Sequence, residues 1–244
     1  MSKPNLRPAT LAVATLSCQE RSGYIRLCPL FSNLPELDIA HLANHSSVVD
    51  FEQGQTLVYR GQRTEYLLLV MRGVVHISLS APSGQEFILG MAGRSMLLGE
   101  WVLAKEKHQP FNLIAHEPVT ALRIPRDLLL GVKDELSLTR AANQLLTERF
   151  FCTLQSLEDI ALFSLRQRLA RLLARMHKSS QTYPCARTHR YSQSILALMS
   201  GGTRPRVNEH LQYFRQLGAI DIHCGSVLVR EAELLAKLGD DGRG

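Results

Sequence analysis

The spacing of apolar residues changes twice along the chain, and these changes limit the folds available to it. It is helical at about 34–44, favours β-structure after Phe51 and becomes helical again near Pro125. Between Phe51 and Ile124, glycines separate short runs that favour β-structure. These runs span residues 56–59, 66–71, 74–79, 86–89, 111–115 and 119–124. Short strands at a spacing of about 8 to 12 residues predict a β-barrel, roll or sandwich. Beyond Pro125 the spacing becomes helical, so the predicted fold class is α+β.

A long amphipathic pattern follows, in which apolar or small residues recur every three or four positions. The residues on this stripe are Leu138, Ala142, Leu146, Phe150, Thr153 and Leu157. The spacing predicts one face of a helix about six turns long. Such a helix at a domain junction has little core of its own chain to cover, so we expect it to pack against a second copy in a homodimer. A helix within an intramolecular bundle is the alternative.

Basic residues concentrate in the C-terminal part of the chain. Residues 166–230 contain eleven lysines and arginines but two acids, whereas the rest of the chain has more acids than bases. Four of these arginines are expected on the outer face of a second helix at 165–177, which a loop at 179–188 should follow. The asymmetry is typical of a domain that binds a polyanion. A solvated basic face without a partner is the alternative.

Two short helices joined by a glycine pair are predicted next. Apolar residues at 195, 196 and 199 indicate a first helix that ends at Gly201, because Gly201 and Gly202 allow a tight turn. Thr203 is a suitable N-cap for the second helix. Pro205 then falls in the first turn, where its missing amide costs no helical hydrogen bond. A helix is therefore expected to restart directly after the turn.

This second helix has an apolar face and a polar face. Val207, Leu211 and Phe214 are spaced to point inward, and Gly218 is expected just beyond the C-terminus. The candidate DNA-binding residues are Thr203, Arg204, Arg206, Asn208, Glu209 and Gln212. In the major groove, arginine can donate to guanine, asparagine can pair with adenine and glutamate can accept from cytosine. These side chains predict a recognition helix for double-stranded DNA.

A β-hairpin is predicted directly behind the recognition helix. Ile220 and Ile222 alternate against Val227 and Val229 across a two-residue loop at 224–225. A hairpin in this place is typical of a winged helix-turn-helix. An ordinary helical corner with a polar surface is the alternative interpretation of residues 192–230.

Several segments occur in an order and spacing that resemble the CRP/FNR family (cyclic-AMP receptor protein / fumarate-nitrate regulator). They are residues 31–35, 54–61, 68–73, 99–100, 168–173 and the helix-turn-helix, and together they span about 27–238. The resemblance implies a cyclic-nucleotide-binding-like β-roll (jelly roll), a long dimerisation helix and a C-terminal winged helix-turn-helix. The implied domains are an N-terminal extension (1–27), the β-roll sensor (28–132), the dimerisation helix (133–162) and the DNA-binding domain (163–244).

The resemblance places the base-reading positions of the family on Arg204, Pro205, Asn208 and Glu209. Arg204 matches a family arginine, but Pro205 stands where many members have a base-reading glutamate and Glu209 where they have an arginine. The implied function is a transcription regulator that binds a palindromic site as a homodimer, with a half-site unlike the usual one. RNA polymerase is a candidate partner. A ligand-binding sensor module whose main role is not DNA binding is the alternative.

The sensor region departs from the cyclic-nucleotide-binding members that it resembles. The effector-pocket candidates are Gly99, Glu100, Trp101, Pro110 and Phe111. Nucleotide-binding members have an arginine about eight residues after their Gly-Glu pair, to hold the cyclic phosphate. Residues 107–112 contain no arginine, and Pro110 lacks an amide donor. We therefore expect a small-molecule effector other than cyclic AMP, whose identity the sequence does not disclose.

Other cofactors find weak support in the sequence. Cys18 and Cys28 are too few for a four-thiolate iron-sulfur cluster. Haem stays open among nine histidines, although His76 in its strand pattern is more typical of a surface or core histidine. Five scattered cysteines without a Cys-x-x-Cys pair argue against a zinc site and a disulfide framework. Cys152 on the long helix is expected to be a buried free thiol, with an intersubunit disulfide as the alternative.

No arrangement of residues in the sequence indicates catalysis. A nucleophile with a base and an orienting group, or a metal-ligand triplet at helical spacing, is not recognisable. No apolar run approaches the length of about 20 residues that a membrane helix requires. The sequence therefore predicts a cytoplasmic binding protein and not an enzyme.

Overall fold

The computed structural model describes residues 16–103, 108–182, 192–223 and 225–240, with only the backbone at 179–182. The helices are α1 (Cys18–Arg26), α2 (Glu36–His45), α3 (Arg126–Leu130), α4 (Glu135–Leu162), α5 (Leu165–Thr182), α6 (Gln193–Ser200), α7 (Arg204–Gln216) and α8 (Ala232–Asp240). The strands are β1 (Ser47–Phe51), β2 (Thr56–Val58), β3 (Tyr66–Arg72), β4 (Val75–Ser80), β5 (Glu86–Ala92), β6 (Leu97–Leu98), β7 (Asn112–Ala115), β8 (Val119–Pro125), β9 (Ile220–His223) and β10 (Ser226–Val229). A short 3₁₀ helix, Glu100–Leu103, follows β6. This order confirms the predicted α+β fold class.

Two four-stranded antiparallel sheets form the β-roll, in the orders β1-β8-β3-β6 and β2-β7-β4-β5. Strand β3 is buried on both faces. Leu67 and Leu69 pack with the N-terminal helices, while Leu68 and Val70 pack between the sheets. Because successive strand residues point to opposite faces, two apolar environments explain the uninterrupted run of apolar residues in β3.

Residues 18–26, which the sequence analysis assigned to an N-terminal extension, form α1. This helix begins with a capping box between Ser17 and Glu20 and buries Ile25 in the sensor core. The helical spacing at about 34–44 predicts Leu34, Leu37 and Leu42 near one face, which is partly wrong, because Leu37 is 71% exposed whereas Leu34 and Leu42 are buried. Helix α2 begins at residue 36, so Leu34 precedes it and does not share its helical spacing with Leu37.

The long helix is present and extends over 28 residues. The side chain of Asp134 caps its start by accepting a hydrogen bond from the Ser137 amide at 3.0 Å. Leu138 is buried in the sensor core of its own chain, and Ala142 packs against the same core. The first part of the predicted dimer stripe is therefore an intramolecular contact, because α4 begins beside the β-roll.

The C-terminal domain has its own apolar core, made by α5, α6, α7, the β9–β10 hairpin and α8. The expectation of a loop at 179–188 is wrong for its first part, because α5 continues to Thr182; residues 183–188 lie outside the described chain. Helix α8, which the sequence analysis did not predict, packs against α5. A Cβ atom at Gly239 would lie 2.5 Å from Cγ of Arg171, so this close approach requires glycine.

Candidate nucleic-acid interface and sensor site

The helix-turn-helix is built as the sequence predicts. The Ser192 side chain caps α6 by accepting from the Ile195 amide at 3.3 Å, and Gly201 ends the helix with φ of +64° in the left-handed region. A Cβ atom at Gly202 would lie 2.6 Å from Cδ1 of Leu165. The first glycine is therefore required by the backbone of the turn, and the second by its packing on α5.

Helix α7 begins one residue after Thr203, which has the extended backbone of an N-cap. The Thr203 hydroxyl makes no capping hydrogen bond, so its predicted position is confirmed but its predicted bond is not. Val207, Leu211 and Phe214 are fully buried, and Gly218 has φ of +74° just past the helix. The apolar back and the end of the recognition helix are thus as predicted.

The polar face of α7 is open to solvent. Arg204, Arg206 and Glu209 are exposed, whereas Asn208 and Gln212 are half-buried and their side-chain amides lie 3.4 Å apart. Helical spacing places Arg204, Asn208 and Gln212 on one row and Arg206 on another, with Glu209 between the rows. The candidate residues therefore form one exposed surface with two flanks.

The predicted wing is present as β9 and β10. Their register pairs Ile220 with Val229 and His223 with Ser226. Arg230 donates from Nε to the Asp221 carboxylate at 2.6 Å, and this contact holds the pKa of Asp221 below its usual value. The predicted loop residue at position 224 lies outside the described chain.

A buried carboxylate ties the long helix to the DNA-binding domain. Asp159 on α4 accepts from Nε of Arg171 at 2.6 Å and pairs with Arg175 at 2.5 Å, and both arginines lie on α5. Arg171 also contacts Glu158 at 3.7 Å and Asp240 at 2.8 Å. The expectation of four outward arginines on α5 is therefore wrong for Arg171 and Arg175, because α4 and α8 bring carboxylates to that face.

In the sensor, the Glu100 carboxylate is almost completely buried and forms an ion pair with Arg149 of α4. Arg149 also donates to the Leu97 carbonyl. Gly99 beside this pair has φ of +86°, and a Cβ there would lie 3.2 Å from the Tyr66 carbonyl oxygen. Burial lowers the pKa of Arg149 to about 10, which leaves the guanidinium charged at neutral pH. A guanidinium thus reaches the candidate pocket from the long helix.

Two aromatic residues of the candidate pocket contact each other. The rings of Trp101 and Phe111 meet edge to face with 5.1 Å between centroids. Gln109 is buried and Trp101 is half-buried. Within the part of the chain that the structure describes, the side-chain amide of Gln109 and Nε1 of Trp101 have no hydrogen-bond partner. Pro110 is exposed. The structure therefore places Gly99, Glu100 and their neighbours around a mixed polar and aromatic region, with Pro110 at its surface.

His76 lies partly buried on β4. Its Nε2 is 3.6 Å from the Glu86 carboxylate, and its ring centroid is 6.1 Å from that of His116. Burial, more than the neighbouring His116, lowers the pKa of His76, while Glu86 opposes the shift. Within the described residues, no three His, Cys, Asp or Glu side chains are arranged to hold a metal ion.

The outer face of α4 carries exposed apolar side chains that no other described residue covers. Phe150 is 59% and Leu157 is 61% exposed, and Thr153 is exposed between them, while Leu146 is half-buried. Further exposed apolar residues on this helix are Leu136, Phe151, Leu154, Ile160 and Leu162. Cys152 is also exposed, so the expectation of burial is wrong; the residue does not share the helical spacing of the stripe.

The sequence analysis missed the residues that form ion pairs between different elements of the fold. Arg149 and Asp159 received no role, although each is a charged residue on a helix with many apolar residues. A charged residue within a helix that otherwise buries apolar groups was the available signal for Arg149 and Asp159. Their partners, however, are distant in the sequence, so the ion pairs can be recognised only in the folded structure.

The architecture defines a class of protein, a regulator with a β-roll sensor joined by a long helix to a winged helix-turn-helix. Residues 48–135 match the family model of the cyclic nucleotide-binding domain, and residues 167–238 match that of the Crp-like helix-turn-helix domain. The chain belongs to the CRP/FNR family of DNA-binding transcription regulators.

Two curated relatives align with most of the chain. One is the CRP-like cAMP-activated global transcriptional regulator of Mycobacterium tuberculosis, 26% identical over 212 residues, which cover 85% of this chain and 95% of that protein. The other is the cyclic AMP receptor protein of Thermus thermophilus, also 26% identical over 212 residues, covering 86% of this chain and 96% of that protein.

Solved structures agree in fold. FixK2 from Bradyrhizobium japonicum superposes with a TM-score of 0.69 at 13% identity, covering 79% of this chain and 96% of that chain. A CRP/FNR-family regulator from Eubacterium rectale gives a TM-score of 0.65 at 18% identity and covers 88% of this chain and 100% of that chain. In the described part of the chain, no helix has both the length and the apolar character needed to cross a membrane.

Proposed function

We propose that the protein is a homodimeric transcription regulator that binds a palindromic DNA site and responds to a signal in the β-roll other than cyclic AMP. The observation that carries the proposal is the exposed polar face of α7, with Arg204, Asn208 and Glu209 set between a glycine turn and a wing. An exposed helix of this composition is suited to the major groove.

The homodimer is supported by the apolar face of α4. Phe150, Leu154 and Leu157 are spaced 4 and 3 residues apart and are all exposed in the single chain. This spacing matches a coiled-coil seam, and a parallel copy would cover it. Two recognition helices related by a two-fold axis would then read half-sites about one helical turn (~34 Å) apart.

The base-reading role rests on side-chain chemistry. Arg204 can donate two hydrogen bonds to one guanine, and Asn208 can pair with adenine. Glu209, the one acid on α7, can accept from cytosine N4. Because Pro205 and Glu209 depart from the usual family pattern, the preferred half-site should differ from that of the curated relatives.

The proposal of a signal other than cyclic AMP rests on the charges of the pocket. The two curated relatives carry cAMP in their names, but here residues 108–112 contribute no guanidinium and include Pro110. The guanidinium that does reach this region, on Arg149, already neutralises Glu100. A second negative charge from a cyclic phosphate would need a further cation.

A DNA-selection experiment tests the main proposal. The full-length protein selects duplexes from a random library, and fluorescence anisotropy then compares the selected duplex with a scrambled one at several salt concentrations. We expect site-selective binding about a thousandfold or more tighter than binding to the scrambled duplex, with a steep negative salt slope. Equal and weak binding to both duplexes would favour the alternative, a sensor module whose main role is not DNA binding.

A calorimetric titration tests the proposed signal. Cyclic AMP is titrated into the purified homodimer, and the DNA affinity is measured with and without the nucleotide. We expect no heat of binding at millimolar nucleotide and no change in DNA affinity. Saturable binding that tightens the DNA complex would show that cyclic AMP is the signal. A role in contacting RNA polymerase and a cytoplasmic location stay predictions.

A further inference from the structure

One arginine of α5 is oriented toward the recognition helix. Arg171 and Arg175 both pair with Asp159, and Arg171 pairs with Asp240 as well. Arg168 lies 3.5 Å from the Ile160 carbonyl oxygen, to which it donates. Arg166, near the start of α5, instead places its guanidinium over the ring of Tyr213, 5.5 Å from the centroid. Among the described residues, no carboxylate forms an ion pair with Arg166. Its charge is therefore held against α7 without a neutralising partner.

The side of α7 that faces Arg166 carries a second row of polar and aromatic residues. Arg206, His210 and Tyr213 are spaced 4 and 3 residues apart, so they follow one another along one side of the helix. Arg206 is exposed and His210 is half-buried. This flank is distinct from the row of Arg204 and Asn208, which lies on the other side of Glu209.

The charges that face His210 come from two elements. Arg206 and Glu209 lie on α7, and Arg166 lies on α5. The patch thus contains two guanidinium groups, one imidazole and a single carboxylate. The carboxylate, on Glu209, also belongs to the base-facing surface. A patch of this charge beside a groove-binding helix is suited to an anion at the edge of the groove.

We propose that Arg166, Arg206 and His210 form a binding site for a backbone phosphate of DNA, separate from the base-reading face of α7. This inference rests on the proposed DNA-binding function and assigns Arg206 to the phosphate backbone. The guanidinium groups can each donate to phosphate oxygens, and the His210 imidazole can donate one N–H. Tyr213 holds the Arg166 guanidinium in place by its ring.

This geometry predicts that His210 takes up a proton when DNA binds. In the free protein, partial burial lowers the pKa of His210, with a further lowering by Arg166 and Arg206 and an opposing effect of Glu209. A phosphate beside the imidazole favours its charged form and therefore raises the pKa of His210 in the complex. DNA binding then strengthens as pH falls through the His210 pKa of the complex, and the gain is complete below the pKa of the free protein.

Anisotropy titrations of the full-length protein test the site. Wild type, Arg166→Gln and His210→Gln are titrated with the selected and scrambled duplexes between about 50 and 200 mM salt. We expect Arg166→Gln to reduce the salt slope by about 0.9 per protomer and to weaken both duplexes alike, roughly eightfold per protomer near 0.1 M salt. Because the pKa of free His210 is lowered, we expect His210→Gln to remove most of the pH dependence of binding between about pH 5 and 8.

Arg123→Gln is the matched control, because Arg123 also stacks on a tyrosine, 4.1 Å above Tyr66, but lies in the sensor. It removes the same charge and should leave the salt slope unchanged. If wild type binds selectively and Arg166→Gln keeps the wild-type slope, the phosphate site is overturned while the proposed function stands. If the pH dependence persists in His210→Gln, the role of His210 is overturned. If wild type binds no duplex selectively, the proposed function itself is overturned.

Discussion

Arg149 of the long helix α4 and Glu100 of the β-roll form an ion pair in which the carboxylate is almost completely buried. The pair joins the candidate sensor site to the helix that we propose as the dimer seam. A buried carboxylate needs its partner, because the desolvation of an unpaired charge costs several kcal/mol. Any effector that competes for either group would therefore act directly on the position of α4.

Removing only one member of this pair should destabilise the protein. We expect Arg149→Met to lower the free energy of unfolding by about 3 to 5 kcal/mol, because Glu100 stays buried without a counter-charge. Urea denaturation followed by circular dichroism measures the change. The double variant Arg149→Met with Glu100→Gln is the control and should recover a large part of the loss. Equal instability of the single and double variants would contradict a strong coupling between the two side chains.

The helix-turn-helix was predictable because its determinants are close together in the sequence. The left-handed turn at Gly201, the apolar back of α7 and the register of the β9–β10 hairpin each depend on residues fewer than about ten positions apart. Six strands of the β-roll, β2 to β5, β7 and β8, were recognisable for the same reason, whereas β1 was not predicted. Strand β6 has two residues, which is too short to show an alternating pattern.

Features that depend on distant partners were not predictable. Helix α1 is held in place by the burial of Ile25 in the sensor core. Leu138 is buried in the same core and is therefore not part of the exposed stripe. The Arg149 and Asp159 ion pairs join different elements of the fold. Helical spacing indicates which residues share a face, but it does not indicate whether that face meets the same chain or another one.

The Asp159 carboxylate should be important for holding the DNA-binding domain on the long helix. We expect Asp159→Ala to lower the free energy of unfolding by about 1.5 to 3 kcal/mol, since Arg175 loses its carboxylate partner and Arg171 keeps only the more exposed Glu158 and Asp240. Thermal denaturation measures the loss. Glu158→Ala is the matched control: Glu158 is half exposed and contacts Arg171 at 3.7 Å, so its loss should cost less than about 1 kcal/mol. Similar losses in both variants would show that burial of Asp159 is not decisive.

A charge on the exposed face of α4 should dissociate the proposed dimer. We expect Leu157→Glu to weaken dimerisation by about 3 kcal/mol or more, roughly a hundredfold, because each subunit loses a buried leucine and gains a charge at the seam. Sedimentation velocity at several protein concentrations measures the equilibrium. Gln155→Glu adds the same charge at an exposed position on the opposite side of the helix, and it should remain dimeric. A dimer that persists in Leu157→Glu would place the seam elsewhere.

Cys28 and Cys152, two of the three described cysteines, should differ strongly in reactivity. Burial raises the pKa of the Cys28 thiol to about 11, whereas Cys152 is exposed on α4. Since the thiolate is the reactive form, we expect iodoacetamide at neutral pH to modify Cys152 at least about a hundredfold faster than Cys28. Peptide-resolved mass spectrometry distinguishes the two sites. In urea the rates should converge, and comparable native rates would indicate that the N-terminal core opens readily.

Base discrimination should depend on the row of α7 that carries Arg204 and Asn208. We expect Arg204→Ala to reduce the preference for the selected duplex over single-base variants by about 1 to 3 kcal/mol at one position of each half-site, because a bidentate contact to guanine is lost. Competition anisotropy against a set of single-base variants measures this. Arg215→Ala is the control, since Arg215 is an exposed arginine of the same helix that lies near its C-terminal end, away from the base-reading residues. It should leave the ranking of the variants unchanged. If Arg204→Ala weakened every duplex by the same factor, Arg204 would contact the phosphate backbone, and sequence would be read by Glu209 and Asn208 instead.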